Sequence, residues 1–254
     1  METIGELTAY AAKWKNIRDT TKERWDKATS SIASIPLKEF SRDDAIEYRI
    51  NRPDNISPGT WKSYIDTLHS IWNVGILTNK LETNVWKGLS KDLPKAKAHY
   101  TFRPYEFWEA MHGDPFFMGL YLHGMRLNEF CGIEQEDIIT DTEYPYFNLR
   151  HTKKRLLKND PSIRELPIHN EWLKYSKDFV AGSVLDSTWT TRIKTRTGCN
   201  SHQLRHCFRK RMLNARIEWS IQKALLGHGS PGVTGGYGEI LLEDKWKAMQ
   251  DIPL

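Results

Sequence analysis

The sequence SPGTWKSYIDTLHSIWNVGIL, residues 57–77, carries the clearest helix signal in the first half of the chain. Ser57 is a residue type that caps helix N-termini, and Pro58 suits a first helical turn. Apolar residues then recur at steps of three and four, the period of one helix face: Trp61, Tyr64, Ile65, Leu68, Ile71 and Trp72. The segment predicts a long helix with one buried face, and it favours a mainly helical fold.

Further helix signals precede this segment. Three pairs of residues have capping-box spacing ahead of helical patterns: Thr3 with Glu6, Thr20 with Glu23, and Ser41 with Asp44. The stretch KDLPKAKAHYTFR, residues 91–103, is polar and basic and is broken by Pro94, which is typical of a linker. We therefore expect two domains, residues 1–97 and residues 98–254.

Composition restricts the class of protein. The 254 residues include 37 Lys and Arg against 32 Asp and Glu, a net charge of +5 that favours a polyanionic partner such as nucleic acid. Cys131, Cys199 and Cys207 are too few and too scattered for a disulfide framework or a CxxC metal site. The sequence contains no apolar run of membrane-spanning length and no signal-peptide pattern. These features predict a cytoplasmic protein without membrane association, bound metal or cofactor.

Strand signals concentrate in one part of the second half. The sequence YPYFNLRHTKKRLLKNDPSIRELPIH, residues 144–169, has short alternating stretches around the turn-forming KNDPS and predicts a β-hairpin that carries Lys153, Lys154 and Lys158. Helical patterns surround it. The predicted fold class is mainly α, with an N-terminal helical domain and a C-terminal, mostly helical domain that contains a small antiparallel sheet or hairpin.

Charged residues stand at helical spacing on both sides of this hairpin. In GMRLNEFCGI, residues 124–133, Arg126 and Glu129 are three residues apart and share one helix face. In NSHQLRHCFRKRML, residues 200–213, Asn200 or Ser201 can cap a helix. On that helix His202 and Arg205 lie one turn apart and face the same way.

A histidine and a tyrosine follow in LLGHGSPGVTGGYG, residues 225–238. Gly227 can end a helix, which leaves His228 just beyond it. Tyr237 follows two glycines, which loosen the backbone and pack nothing, so the segment suits a side chain that must reach a partner.

In this order and spacing, the segments resemble the tyrosine recombinase, or phage integrase, family. GMRLNEFCGI is similar to the family's first arginine box, SHQLRHCF to its second, and LLGHGSPGVTGGY to its histidine and tyrosine box. Residues 57–77 and ETNVWKGL, residues 82–89, resemble its helical core-binding domain. The resemblance covers nearly the whole chain and implies an enzyme that cuts and rejoins double-stranded DNA.

The resemblance also implies roles for the residues. Tyr237 would attack the scissile phosphate and form a 3′-phosphotyrosine, while Arg126 and Arg205 hold the nonbridging oxygens. His228 would donate another hydrogen bond there, and His202 would be the base toward the tyrosine.

Two further roles follow from the resemblance. A hairpin lysine would protonate the departing 5′ oxygen, and Glu129 would support the arginine site without a direct part in the reaction. Lys153 fits the family pattern better than Lys154, because Thr152-Lys153 and Arg164-Glu165-Leu166-Pro167 match its Thr-Lys and Arg-x-x-Pro elements. Strand alternation would send the two lysines to opposite faces, so that only one points at the phosphate.

The family implies assembly on DNA into dimers and a tetramer, with the apolar face of ILLEDKWKAMQDIPL, residues 240–254, docked either on a neighbouring subunit or on its own domain. Two departures stand out. VTGGYG places two glycines where the family commonly has a Thr-rich helix, and the chain begins almost at once with core-binding helices, as expected for a simple recombinase or a shortened chain. A type IB topoisomerase-like DNA-relaxing enzyme and a non-cutting DNA-binding protein of the same fold are the alternative functions.

The assignment of Lys153 as the general acid can be tested with a substrate that has sulfur at the 5′-bridging position. Because the thiolate leaves unprotonated, Lys153→Ala should recover most of its cleavage rate on this substrate, whereas Tyr237→Phe should not. Single-turnover cleavage measures both rates. If the sulfur substrate rescues Lys154→Ala and leaves Lys153→Ala inactive, the assignment is reversed. If it rescues neither variant, a hairpin lysine is not the general acid.

Overall fold

The structure of the protein, a computed structural model, describes residues 2–93, 104–153, 155–158, 160–182, 186–228 and 240–254. The chain divides into two compact units, Met1–His99 and Tyr100–Leu254. From residue 94 onward, the stretch expected to be a linker lies outside the described residues. That the two units act as the two domains of a DNA clamp stays a prediction.

The described part of the first unit is built from α-helices: α1 (Ile4–Trp14), α2 (Asp19–Thr29), α3 (Arg42–Ile50) and α4 (Pro58–Leu77). Helix α4 confirms the strongest sequence signal, since the Ser57 side chain accepts a hydrogen bond from the Thr60 N–H and Pro58 occupies the first turn. Its apolar stripe is buried against α1 and α2. The burial of this stripe, rather than helix propensity alone, stabilises the long helix.

Of the three helix starts predicted from capping-box spacing, two are confirmed. Thr3 caps α1, and Ser41 forms a reciprocal capping box with Asp44 at the start of α3. The start predicted at Thr20 is wrong. The Arg18 carbonyl already accepts the first helical hydrogen bonds of α2, from the N–H groups of residues 21 and 22, so Thr20 lies inside the helix.

Aromatic side chains form the centre of the first unit. Phe40 stacks on Trp86 with ring centroids 5.6 Å apart, and Trp72 meets the same indole edge-on at 5.7 Å. Tyr48 stacks on Trp61 at 4.6 Å. Such pairs add to the free energy of area burial, so Trp86, which follows α4 in the chain, closes this core.

The second unit combines helices with one small sheet. Its helices are α5 (Pro104–Met111), α6 (Pro115–His123), α7 (Leu127–Cys131), α8 (Asn170–Leu173), α9 (Asp186–Thr197), α10 (Ser201–Asn214), α11 (Trp219–Leu226) and α12 (Leu242–Gln250). Its strands are β1 (Ile138–Ile139), β2 (Tyr146–Leu149) and β3 (Arg164–Pro167). The predicted mainly helical class with a small antiparallel sheet is confirmed.

Helix α6 is the central element of this unit. Asp114 caps it, and every residue from Phe116 to His123 is buried. It ends at Gly124, which has a φ of 59°, a conformation that glycine adopts without cost. A Cβ at this position would lie 2.3 Å from the Phe208 ring. Glycine therefore lets α10 pack directly against the end of α6.

The sheet has the order β1-β2-β3 and is antiparallel, with Phe147 opposite Leu166 and Leu149 opposite Arg164. The predicted pairing of the two flanking stretches is confirmed, but strand β1 was not predicted. The strand alternation expected at Lys153 is wrong, because β2 ends at Leu149 and Lys153 lies in the connection between β2 and β3. At the turn expected in KNDPS, a short 3-10 helix spans Asp160–Ser162.

The C-terminal tail packs on its own unit. Helix α12 lies against β3 and α11, and Met249 and Ile252 are buried in the core of the second unit. Trp246 is half-buried and Leu241 is 64% exposed. The tail was expected to dock either on a neighbouring subunit or on its own domain, and in this single chain it packs on its own domain.

A buried histidine joins α6 to the segment after β3. The His169 N–H donates to Nε2 of His123 at 3.0 Å, so the His123 proton is on Nδ1, which donates to the Gly119 carbonyl at 2.9 Å. Burial lowers the pKa of His123 to about 3 and that of His169 to about 4. Both rings are therefore neutral in the folded protein at neutral pH.

Lowering the pH from about 7 to about 5 should lower the free energy of unfolding by about 2 kcal/mol through His123 alone. The pKa of His123 is about 3 in the folded protein and about 6.5 in an unfolded chain. Between these values the unfolded chain binds the additional proton, so stability falls as the pH falls. In urea unfolding at both pH values, His123→Gln should show a smaller difference than the wild type, and an equal difference would contradict the expectation.

Candidate active site

Glu129 is the centre of a charged cluster in the second unit. It lies in the first turn of α7, where the Arg126 N–H donates to its carboxylate at 3.1 Å and fixes the start of the helix. Only 3% of the Glu129 side chain is exposed. The short helix therefore holds a carboxylate inside the unit, where it needs positively charged partners.

Three arginines surround this carboxylate. The Arg126 guanidinium pairs with Oε1 of Glu129, Nη2 of Arg164 lies 3.1 Å from Oε2, and Nη1 of Arg205 lies 3.9 Å from the same oxygen. These arginines come from the cap of α7, from β3 and from α10. Three positive charges and one negative charge leave the cluster with a net charge of +2.

The ion pairs decide the protonation states. Burial by itself would raise the pKa of Glu129, but Arg164 and Arg126 outweigh it and hold this pKa below its usual value. Burial, with repulsion from Arg126 and Arg164, lowers the pKa of Arg205 to about 9, so its guanidinium stays charged at neutral pH. All four side chains of the cluster are thus ionised, and most of them are buried from solvent.

Backbone carbonyls complete the binding of Arg205. Its Nη1 donates to the Gly124 carbonyl at 2.8 Å, and its Nη2 donates to the Leu226 carbonyl. The same Nη2 lies 3.2 Å from Nε2 of His228. Arginine can only donate, so Nε2 of His228 accepts and its ring proton is on Nδ1.

Arg164 is held in a similar way. Its Nε donates to the Leu225 carbonyl at 3.0 Å, and its Nη1 donates to the Ser162 carbonyl at 2.9 Å. The carbonyls of residues 225 and 226 thus bind two arginines at the C-terminal end of α11, where unpaired carbonyls and the helix dipole favour cations. Gly227, with a φ of 60°, ends this helix, as the sequence predicted.

The arginines differ in exposure. The Arg126 side chain is 24% exposed, against 7% for Arg164 and 5% for Arg205. Arg126 also donates to the Ser162 hydroxyl at 3.2 Å, and His228 is exposed beside Arg205. An anion that approaches from solvent therefore meets Arg126 and His228 first, with the buried arginines behind them.

His202 lies on the first turn of α10, one turn before Arg205, and Asn200 caps this helix through a capping box with Gln203. Burial lowers the pKa of His202, and His206 and Arg205 lower it further. Its neutral form, which can accept a proton, therefore dominates at neutral pH.

The remaining predicted site residues do not belong to the described cluster. Lys153 is exposed and lies between Thr152 and Arg155, which exchange backbone hydrogen bonds of 2.9 and 3.3 Å. Lys154 and Tyr237 lie outside the described residues. Within the described residues, no group of three or more His, Cys, Asp or Glu side chains could hold a metal ion, and no helix is long and apolar enough to cross a membrane.

Solved structures resemble this chain along most of its length. The integrase of transposon Tn1549, in complex with circular intermediate DNA, matches with a TM-score of 0.70 and 18% identity over 98% of this chain and 99% of that chain. A lambda integrase dimer bound to a COC′ core site matches with a TM-score of 0.64 and 16% identity over 94% and 99%. A lambda integrase tetramer bound to a Holliday junction matches with a TM-score of 0.60 and 16% identity over 95% and 81%. No protein-family model and no curated protein matches the sequence.

The chain has the tyrosine recombinase fold. Within this recombinase fold, the structure brings together four of the residues that the sequence singled out, Arg126, Glu129, Arg205 and His228. Arg164 was missed as a member of the cluster. Its sequence signal was present, because it begins the Arg-x-x-Pro strand, but nothing in strand periodicity indicates that its side chain reaches a glutamate 35 residues away.

Replacing Glu129 by glutamine should lower the free energy of unfolding by about 3–5 kcal/mol, because breaking a buried ion pair leaves its partners uncompensated. Sulfate or phosphate should recover part of this loss, since an anion can take the place of the lost charge and stabilises the state that binds it. Urea unfolding with and without each anion measures both effects.

Glu243→Gln is the matched control, because Glu243 pairs with Lys247 on an exposed surface. It should change stability little and should show no additional response to sulfate. Equal losses for Glu129→Gln and Glu243→Gln would contradict a central role of Glu129 in holding the arginines.

Proposed function

We propose that the protein is a site-specific DNA recombinase or integrase that cleaves and rejoins double-stranded DNA through a 3′-phosphotyrosyl intermediate. The observation that carries the proposal is the cluster of Arg126, Arg164 and Arg205 around Glu129, with a net charge of +2 and His228 beside it. Such an array suits a phosphodiester, whose charge is spread over nonbridging oxygens in the transition state. The tyrosine recombinase fold, seen on DNA in the Tn1549 and lambda integrases, supports the same partner.

In the proposed reaction, Arg126 and Arg205 donate to the nonbridging oxygens of the scissile phosphate. Carbonyls and Glu129 hold Arg205 before the substrate arrives, so little reorganisation is needed when charge develops. His228 has its proton on Nδ1 and supplies a further donor. Glu129 touches no substrate atom, and its role is to keep the guanidinium groups together.

The covalent step needs a nucleophile, a base and an acid. The Tyr237 oxygen attacks the phosphorus, and His202, whose neutral form burial favours, accepts the tyrosine proton. The bond from phosphorus to the 5′ oxygen breaks, and Lys153 protonates this oxygen. The phosphotyrosine conserves the energy of the phosphodiester, so the reverse attack by a 5′ hydroxyl rejoins the strand without ATP.

We propose that assembly on DNA proceeds through dimers to a tetramer. Lambda integrase is seen as a dimer on a core site and as a tetramer on a Holliday junction. Phosphate contacts along the duplex release counterions, so binding by the chain should weaken steeply with salt.

Covalent trapping on a suicide substrate, a nicked duplex whose cleaved end diffuses away, tests the proposed function. The full chain should form a protein–DNA adduct that survives denaturing electrophoresis, and Tyr237→Phe should form none. Tyr146→Phe, in strand β2, is the matched tyrosine control and should form the adduct normally. Binding without an adduct would favour a non-cutting DNA-binding protein, and adduct formation with relaxation but no strand exchange would favour a topoisomerase-like enzyme.

A further inference from the structure

Lys153 lies in a turn that is closed by Thr152 and Arg155, and the side chain of Arg155 is buried. Thr152 and Arg155 exchange both backbone hydrogen bonds, and the Thr152 hydroxyl accepts a third from the Arg155 N–H at 3.0 Å. Lys153 itself is exposed. The position of its backbone therefore depends on where Arg155 is held.

Arg155 is held on several sides. Only 1% of its side chain is exposed, and its Nη2 pairs with Asp137 at 2.9 Å. Its Nη1 donates to the Gly132 carbonyl at 2.9 Å, and its Nε donates to the Arg150 carbonyl at 3.0 Å. The same Nη1 lies 3.4 Å from the Glu129 carbonyl. One guanidinium thus joins the turn to the C-terminal end of α7.

Helix α7 is also the helix that builds the arginine cluster. The Glu129 side chain pairs with Arg126, Arg164 and Arg205, while its backbone carbonyl faces Arg155. Lys153 is two residues from Arg155, at most about 7 Å of extended chain. Glu129 therefore contacts Arg155 through its backbone and the arginine cluster through its side chain.

Gly132 gives an independent sign that this contact is close. Its φ of −87° is open to any residue, so backbone conformation does not require glycine. A Cβ at this position, however, would lie 2.7 Å from Cβ of Arg155. The absence of a side chain at residue 132 is what lets Arg155 lie against the end of α7.

We propose that Arg155 is a positioning residue, which holds the turn of Lys153 at a fixed place relative to the arginine cluster. The inference rests on the proposed function, in which Lys153 protonates the leaving 5′ oxygen. A lysine side chain is long and flexible, so a general acid of this type needs a fixed backbone to reach one oxygen reproducibly. Asp137 and Gly132 act through Arg155 and touch no substrate.

The test compares cleavage of an ordinary duplex with cleavage of a duplex that carries a 5′-bridging sulfur, in single-turnover assays with the full chain. Arg155→Met removes the anchor, and Gly132→Ala displaces it without a change of charge. Both should slow cleavage of the oxygen substrate by about 100-fold. Both should be largely rescued by the sulfur substrate, which needs no acid.

Arg150→Met is the matched control. Arg150 pairs with the same Asp137 through its Nε at 2.8 Å, but its side chain is 41% exposed, and only its backbone carbonyl contacts Arg155. This variant should cleave the oxygen substrate at nearly the wild-type rate. A loss equal to that of Arg155→Met would show that Asp137 pairing in general, and not the anchor, controls the rate, and would overturn the proposal.

The remaining outcomes separate this inference from the proposed function. If sulfur rescues Lys153→Ala but neither Arg155→Met nor Gly132→Ala, the positioning role is wrong and the general acid stands. Wild-type rates for both variants on the oxygen substrate would also exclude the positioning role. If sulfur fails to rescue Lys153→Ala, the acid assignment falls, and the positioning role falls with it. A Gly132→Ala variant that folds keeps the test decisive even if Arg155→Met does not fold.

Discussion

The buried carboxylate of Glu129 is the interaction on which the second unit depends. Three guanidinium groups converge on it, and their mutual repulsion would otherwise oppose folding at this point. Opposite unit charges about 4 Å apart attract by about 4 kcal/mol near a protein surface, so one carboxylate offsets much of this repulsion. The lowered pKa of Glu129 shows the same balance, because the arginines overcome the effect of its burial.

Backbone carbonyls at the ends of two helices also stabilise the buried arginines. The last carbonyls of α11 bind Arg164 and Arg205, and the carbonyl at the end of α6 binds Arg205. Both helices end at a glycine with positive φ, Gly124 and Gly227. A Cβ on Gly227 would lie 2.6 Å from the Arg164 guanidinium. Helix termination and cation binding thus occur at the same helix ends, and at Gly227 a side chain would disturb both.

This arrangement divides the site into a rigid part and an adjustable part. Arg164 and Arg205 are nearly fully buried and hydrogen-bonded on several sides, so their guanidinium groups are held in fixed positions. Arg126 and His228 are more exposed and can adapt to a bound anion. Lys153 is exposed, and its turn is tied to the same helix through Arg155. A single helix of five residues, α7, therefore organises both parts.

Local signals made much of the fold predictable from the sequence. Ser57, Ser41 and Gly227 act at the helix ends where their residue types predict, because capping depends on atoms within one helical turn. The pairing of Arg126 with Glu129 was predictable for the same reason, since three residues span one turn. The predicted start of α2 was wrong because the Arg18 carbonyl accepts the first helical hydrogen bonds, and no side chain caps this helix.

The tertiary structure alone decided how charged groups far apart in the sequence meet. Arg164 contacts Glu129 across 35 residues of sequence, and Arg205 contacts Gly124 across 81. Hydrophobic periodicity carries no information over such sequence separations. The place of Lys153 was decided by Arg155, whose anchor on Gly132 lies 23 residues away. By itself the sequence determined most of the elements and the types of charge they carry, because these depend on local backbone and side-chain chemistry. Packing decided which charges share a site, because ion pairs form between side chains that only the folded chain brings within a few ångströms.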